Sequence, residues 1–348
     1  MFRRVFAVSV IALALVVVSA CSAAPTATPT EAPTATNAAP ASAATPPGVA
    51  ATSAKQITIG FVPGETKDPF FISMQVGAQQ EAAKLGVNLI WEGAPNYSPS
   101  DQTPYVNAMV SRKVDALIVA ATDAQAMIPP INNAVQAGIP VLTADSTIAD
   151  ASLLTAQITS NNVQGGAAAA DYLAQAIGNK KGTVAVLDPN PGITTDDARV
   201  QGFEQEIKKY SNLNYVGVQY DNEQSTKAAT LAQDLVTRYQ DLVGIFGTDD
   251  TSASGAAQGI RSAQKTGTVK IVGYDAEPAE VQALQSGLIS ALIAQKPMEE
   301  GQLAIDYAYD AVAGKQSDIV KSTQLDNITI TQDNLQQNQQ WLYKSTAN

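Results

Sequence analysis

From residue 56 onward the chain alternates short apolar runs rich in β-branched side chains with longer segments whose apolar positions recur at helical spacing. That alternation predicts parallel strands joined by crossover helices. In the first half, strands are predicted over 57–62, 87–91, 114–120 and 139–143, and helices over 69–85, 100–112 and 124–137, with Gly86, Gly138 and Pro140 punctuating the ends. The second half repeats the scheme, with strands over 183–187, 215–220, 242–246 and 269–274 and helices over 194–210, 224–239 and 251–264. Two successive α/β units of ordinary domain size are therefore expected, each a doubly wound sheet.

The pattern before residue 56 is of another kind. Arg3 and Arg4 precede an apolar stretch, 5–18, broken only by Ser9. This reads as a signal peptide, too short to span a bilayer comfortably. It ends in Val18-Ser19-Ala20-Cys21, which resembles a lipobox, so residues 1–20 are expected to be removed and Cys21, the only cysteine, to carry lipid. The alternative is a plain secretory signal cut at Ala20, which leaves Cys21 as a free thiol. Residues 22–54 are almost wholly Ala, Pro, Thr and Ser, with Glu31 as their only charge. Such a composition cannot bury a core and reads as a tether, reaching about 100 Å when extended.

Composition narrows the chemistry. Across 348 residues, 21 Lys and Arg face 32 Asp and Glu, a formal charge of −11, which argues against a partner bound through its phosphate backbone. The absence of histidine and the single cysteine remove Ser-His and Cys-His nucleophiles, histidine metal sites, zinc-binding cysteine clusters and internal disulfides. No metal or cofactor is expected, and the leading class is a protein that binds without reacting. In open α/β sheets the ligand contacts lie in the loops just after the strands. The acids gather there: Asp68, Asp145, Asp249, Asp250 and Asp275, with Arg199 on the helix after the strand at 183. Carboxylates converging around one guanidinium suit a ligand with several hydroxyls.

At these residues the chain resembles the ribose-type periplasmic sugar-binding proteins, the solute receptors of a class of sugar ABC transporter. The fragments that carry the resemblance run in order through the whole body: Ile59-Gly60-Phe61 with Asp68-Pro69-Phe70-Phe71, Gly138-Ile139-Pro140-Val141 with Thr143-Ala144-Asp145-Ser146, Ser160-Asn161-Asn162 with Gly165-Gly166, Asp197-Ala198-Arg199 with Gly202-Phe203, Val272-Gly273-Tyr274-Asp275, and Ala294-Gln295-Lys296-Pro297. The resemblance implies two doubly wound Rossmann-like lobes joined by a three-strand hinge, a sugar held in the cleft, and closure of the lobes over it. On this reading the first lobe comprises residues 55–160 and 296–326, the second 161–295 and 327–348.

Carried over residue by residue, the resemblance places Asp68, Phe70, Phe71, Asp145, Ser146, Arg199, Asp249, Asp275 and Gln295 on the ligand. Asp68 before Pro69 is equally the form of a helix N-cap, and packing in the core competes for one of the two phenylalanines. Asp250 is expected to cap a helix beginning at Thr251. Two departures bear on the ligand: Ser146 stands where some ribose binders carry arginine, and Asp221-Asn222-Glu223 where an aromatic ring is often presented. These favour a related aldose, a polyol or a furanosyl ligand over ribose itself. Trp91, at a strand end, is read chiefly as a buried ring.

The expectation is thus a monomeric, extracytoplasmic, lipid-anchored protein that captures a neutral monosaccharide or polyol and delivers it to an ABC permease, with no nucleic-acid partner. A DNA-binding regulator of the same fold has no room for its headpiece before the first strand. Two alternatives stay open: a receptor for a membrane sensor or chemoreceptor, and a glycosidase acting through a pair such as Asp249 and Asp275.

Overall fold

In the computed structural model, which describes residues 56–347, the alternation resolves into two six-stranded sheets of one topology. The signal segment, Cys21 and the tether lie outside the described residues. The first sheet holds β1 (Thr58–Val62), β2 (Asn88–Trp91), β3 (Ala116–Val119), β4 (Val141–Ala144) and β5 (Ala156–Ser160), in the spatial order 5-4-3-1-2. The second holds β6 (Gly182–Asp188), β7 (Leu213–Tyr220), β8 (Leu242–Gly247), β9 (Lys270–Tyr274) and β10 (Ala291–Ala294), in the order 10-9-8-6-7. Two late strands extend the sheets: β11 (Ser322–Leu325) lies parallel to β5, and β12 (Ile328–Ile330) antiparallel to β10. The remaining pairings are parallel, so the strand C-termini of each sheet share one edge.

The crossover helices are α1 (Pro69–Leu85), α2 (Pro99–Arg112), α3 (Ile128–Gln136), α4 (Asn162–Ile177), α5 (Thr194–Ile207), α6 (Ser225–Arg238), α7 (Asp250–Ser262), α8 (Pro278–Gln285) and α9 (Pro297–Ala313). They cover both faces of the sheets, which is why β3, β4, β8 and β10 are buried along their whole length and read as unbroken apolar runs. The helical pattern beginning at 124 starts later, at Ile128, because Asp123 Oδ1 accepts from the amides of Gln125 and Ala126 and holds those residues in a turn. Helix α4 escapes a periodicity reading because Gly165, Gly166 and the alanines after them carry almost no contrast between faces. Those small residues have a packing purpose. A Cβ on Gly166 would lie 1.9 Å from the carbonyl oxygen of Arg199, and one on Gly202 would lie 2.0 Å from that of Val163. Helices α4 and α5 therefore touch backbone to backbone, and this contact sets the position of Arg199.

The chain passes between the sheets after β5, after β10 and after β11. Away from these crossings the two lobes also meet through loops. Thr147 N donates to Thr194 Oγ1 at 3.1 Å, and Ala124 N to the Gly192 carbonyl at 3.4 Å. The C-terminal tail straps both lobes: Tyr343 N donates to the Ala276 carbonyl at 3.1 Å, and Lys344 N to Ser73 Oγ on α1 at 2.7 Å.

Candidate ligand-binding site

Between the C-terminal edges of the two sheets lies a cavity of about 490 Å³, lined from both lobes. The first lobe contributes Glu65, Lys67, Asp68, Pro69, Phe70 and Phe71 after β1, Asn96 and Tyr97 after β2, and Asp145 after β4. From the second come Thr195, Asp196 and Arg199 on α5, Glu223 after β7, Asp249, Asp250 and Thr251 after β8, and Asp275 and Glu277 after β9. Gln295, at the crossing after β10, completes the lining.

Asp68 both caps and lines. Its Oδ1 accepts from Phe70 N at 2.6 Å, with Pro69 pre-set in the first helical turn, while the residue still faces the cavity. The two readings of Asp68 are therefore compatible. Phe70 and Phe71 both line the cavity, edge to face with centroids 5.1 Å apart, and Tyr97 lies nearly parallel to Phe71 at 6.5 Å. Together they form an apolar wall on the first-lobe side.

Asp145 and Asp275 occupy corresponding positions, each just past the fourth strand of its own sheet. Both have left-handed backbone, φ 68° and 79°. Each amide donates at 2.9 Å to the neighbouring strand, Asp145 to the Ile158 carbonyl and Asp275 to that of Ile293. A short polar side chain tolerates this conformation, which turns the chain sharply at the sheet edge. Asp275 is held further: its Oδ1 accepts from Gln295 Nε2 at 2.6 Å and from the Tyr343 hydroxyl at 2.8 Å. Gln295 N in turn donates to the Tyr343 oxygen at 3.0 Å. Gln295 is 2% exposed, and its Oε1 has no partner among the described residues.

Arg199 is 3% exposed and held on all sides. Nε donates to Asn162 Oδ1 at 2.9 Å, and Nη1 to Asp196 Oδ1 at 3.0 Å and to the Thr248 carbonyl at 2.8 Å. The guanidinium lies 3.8 Å from the centre of the Tyr274 ring, a stacked cation–π contact. Burial pushes the carboxyls of Asp145 and Asp196 up to about 7 even though Arg199 pulls both down. Asp275 is raised for the same reason, against Arg199, Gln295 and Tyr343.

Eight of the nine residues assigned to the ligand from the sequence converge on this cavity, and Ser146 does not line it. Its side chain is fully buried, with Oγ 3.2 Å from the Tyr97 hydroxyl, so it backs Tyr97 and Asp145. The capping assignment after β8 is also corrected. Asp249, not Asp250, caps α7, accepting from Ser252 N at 2.8 Å, and Asp250 is the first helical residue and lines the cavity. Trp91 packs on Phe61 with centroids 4.3 Å apart and takes no part in the lining. Tyr97, Asp196 and Glu277 line the cavity without being among the residues assigned to the ligand, and Glu223 lines it from the Asp221-Asn222-Glu223 segment that stands in place of an aromatic ring. The signal available for Glu223 and Glu277 was their place just past a strand. Tyr343 had none, since it reaches Asp275 from 68 residues away in sequence.

Comparison with known proteins agrees with this architecture. Residues 59–316 match the periplasmic binding protein domain family. The ribose import binding protein RbsB of Bacillus subtilis is 32% identical over 75% of this chain and 83% of its own length. Among solved structures, an ABC transporter solute-binding protein of Agrobacterium vitis, bound with α-D-tagatopyranose, is 35% identical with a TM-score of 0.80, covering 83% of this chain and all of its own. Another from Actinobacillus succinogenes, with bound D-allose, is 28% identical with a TM-score of 0.74, covering 81% of this chain and all of its own. With two α/β lobes of one topology enclosing a polar cleft, this chain belongs to the periplasmic binding protein domain family, as a ribose-type sugar-binding member.

Proposed function

We propose that this protein is the extracytoplasmic solute-binding component of an ABC importer and captures a monosaccharide or related polyol between its lobes. The observation that carries this reading is the cleft itself: hydrogen-bonding carboxyls, an amide and a guanidinium from both lobes converge on one cavity against the wall of Phe70 and Phe71. Carboxylate oxygens accept from several hydroxyls at once, a guanidinium donates, and the C–H face of a sugar packs on aromatic rings. In this assignment Asp68, Asp145, Arg199, Asp249, Asp275 and Gln295 bind hydroxyls, and Phe70 and Phe71 pack on the ring. Neutral sugars are preferred to sugar phosphates and uronic acids, because an added anion would be desolvated among like charges.

Isothermal titration against a panel of pentoses, hexoses and polyols, each paired with its phosphate or uronic acid, tests this. A neutral member should bind, and X-ray scattering at saturation should show a smaller radius of gyration as the lobes close. Tighter binding of an anionic member, or an unchanged radius at saturation, overturns the assignment. The same result, with no sugar released from glycosides on long incubation, separates binding from hydrolysis.

Membrane attachment through Cys21 is part of the proposal, supported by the lipobox-like Val18-Ser19-Ala20-Cys21 and the tether behind it, whose only charge is Glu31. Replacing Cys21 with Ser should move the protein from the membrane to the soluble fraction. Retention of Cys21→Ser in the membrane as firmly as the parent contradicts the anchor.

A further inference from the structure

The C-terminal tail reaches the cleft from behind. After β12 the chain turns where Asn334 Oδ1 accepts from Thr331 N at 2.8 Å and Asn334 Nδ2 donates to the Thr329 carbonyl at 2.9 Å, and a 3-10 segment, Leu335–Trp341, follows. The Trp341 ring centre lies 5.0 Å from Lys296 Nζ, a cation–π contact with the residue just past the crossing after β10. Tyr343 comes next. It is 6% exposed and does not line the cavity, yet it touches three residues that do. Its ring meets Phe70 of the first lobe with centroids 5.7 Å apart. Its hydroxyl lies 2.8 Å from Asp275 Oδ1 of the second lobe and 3.0 Å from Gln295 N at the crossing.

Chemistry fixes the direction of these bonds. A backbone N–H can only donate, so the Tyr343 oxygen accepts from Gln295 N and its single proton is committed to Asp275. Asp275 Oδ1 thus takes two donors, the phenol at 2.8 Å and Gln295 Nε2 at 2.6 Å. Their convergence on one oxygen holds the carboxyl in one orientation and leaves Oδ2 to the ligand. The tail is itself pinned to both lobes at this point, through Tyr343 N on the Ala276 carbonyl at 3.1 Å and Lys344 N on Ser73 Oγ at 2.7 Å. Packing alone does not call for the hydroxyl, since a phenylalanine would fill the same space against Phe70.

We infer that Tyr343 is a positioning residue of the ligand site, which fixes the Asp275 carboxyl so that Oδ2 selects one ligand hydroxyl as a hydrogen-bond donor. This rests on the reading of the cleft as a sugar site and names a specificity determinant within it. An acceptor already held in its bound orientation loses little freedom when the sugar arrives. Without the phenol, Gln295 N is left buried with no acceptor and the carboxyl is held by one donor in place of two.

The test is calorimetric titration of the full chain with the neutral aldopentoses, aldohexoses, ketohexoses and hexitols, then with every monodeoxy analogue of the tightest binder. The hydroxyl bound by Asp275 is the one whose removal costs the parent about tenfold or more in affinity and costs Asp275→Ala nothing. Tyr343→Phe should shrink the discrimination at that hydroxyl by about threefold or more and leave the discrimination at other positions unchanged. These are ratios of affinities, so they do not depend on how much protein is folded. Ser73→Ala, which releases only the tail's other anchor, should shrink the same ratio by about twofold, and it carries the test if Tyr343→Phe does not fold. An equal loss of affinity for the sugar and all its deoxy analogues, parent-like discrimination in the variant, or a parent in which no hydroxyl depends on Asp275 overturns this inference while the sugar-binding reading stands. If no member of the panel binds, both are overturned.

Discussion

Arg199→Ala is expected to lower the melting temperature by about 10 °C or more at pH 8 and to abolish measurable ligand binding. Removing one member of a buried ion pair leaves an uncompensated charge, at a cost of about 3–5 kcal/mol, and each kcal/mol moves the midpoint of a chain this size by roughly 2–4 °C. Here the stranded charge is Asp196, while Asn162 Oδ1 and the Thr248 carbonyl lose a donor and Tyr274 loses its stacked cation. Asp196 has one escape, since a protonated carboxyl carries no charge. Burial already holds it near 7 with Arg199 in place, and losing the arginine raises it further. The gap in melting temperature between variant and parent should therefore narrow at pH 5. A variant that melts within a degree or two of the parent at pH 8 removes Arg199 from the centre of the second lobe's polar network.

Ligand-free protein is expected to be more stable at pH 5 than at pH 8, by on the order of a few kcal/mol. Asp145 and Asp196 are 7% and 4% exposed, and their folded values of about 7 stand above the ordinary 3.8. Between those values the folded chain holds protons that the unfolded chain has released, so stability falls as pH rises. The contribution is complete below about pH 4 and is lost as pH climbs through about 7. The groups facing this pair are Arg199, which opposes the shift, and Asp249 and Asp275, which reinforce it. Chemical unfolding at the two pH values measures the difference, and Asp145→Asn should flatten it. A protein more stable at pH 8 than at pH 5 would show that these carboxyls are kept charged, contrary to their burial.

Much of the site was legible because of a rule of topology. In a parallel sheet the loops after the strands meet at one edge, so residues such as Asp145, Asp249 and Asp275 are marked by position alone. Their roles within the loops were less legible. Asp249 and Asp250 are adjacent and chemically identical, and which one caps α7 depends on where the backbone leaves the extended region, at Asp249 with φ −142° and ψ 177°. Ser146 follows a cleft carboxylate in sequence, yet the left-handed turn at Asp145 leaves it buried behind Tyr97. Helix α4 was obscured by its own packing requirement, since the small residues that let it touch α5 erase the contrast between buried and exposed faces.

What the amino-acid sequence determined by itself was the class of the protein: periodicity produced the alternating α/β body, the lack of histidine removed most catalytic chemistry, and the acids placed after strands marked the cleft. Those properties are local, set by spacing and residue type within one element and the loop that follows it. Only the tertiary structure decided which acids share a counterion. It brought Tyr343 of the tail to Asp275, and Glu277 of one lobe to Asp68 of the other. Charge balance is a property of distances between groups remote in sequence, and Coulomb interactions in a dry cleft are strong enough for those distances to set the ionisation of each group.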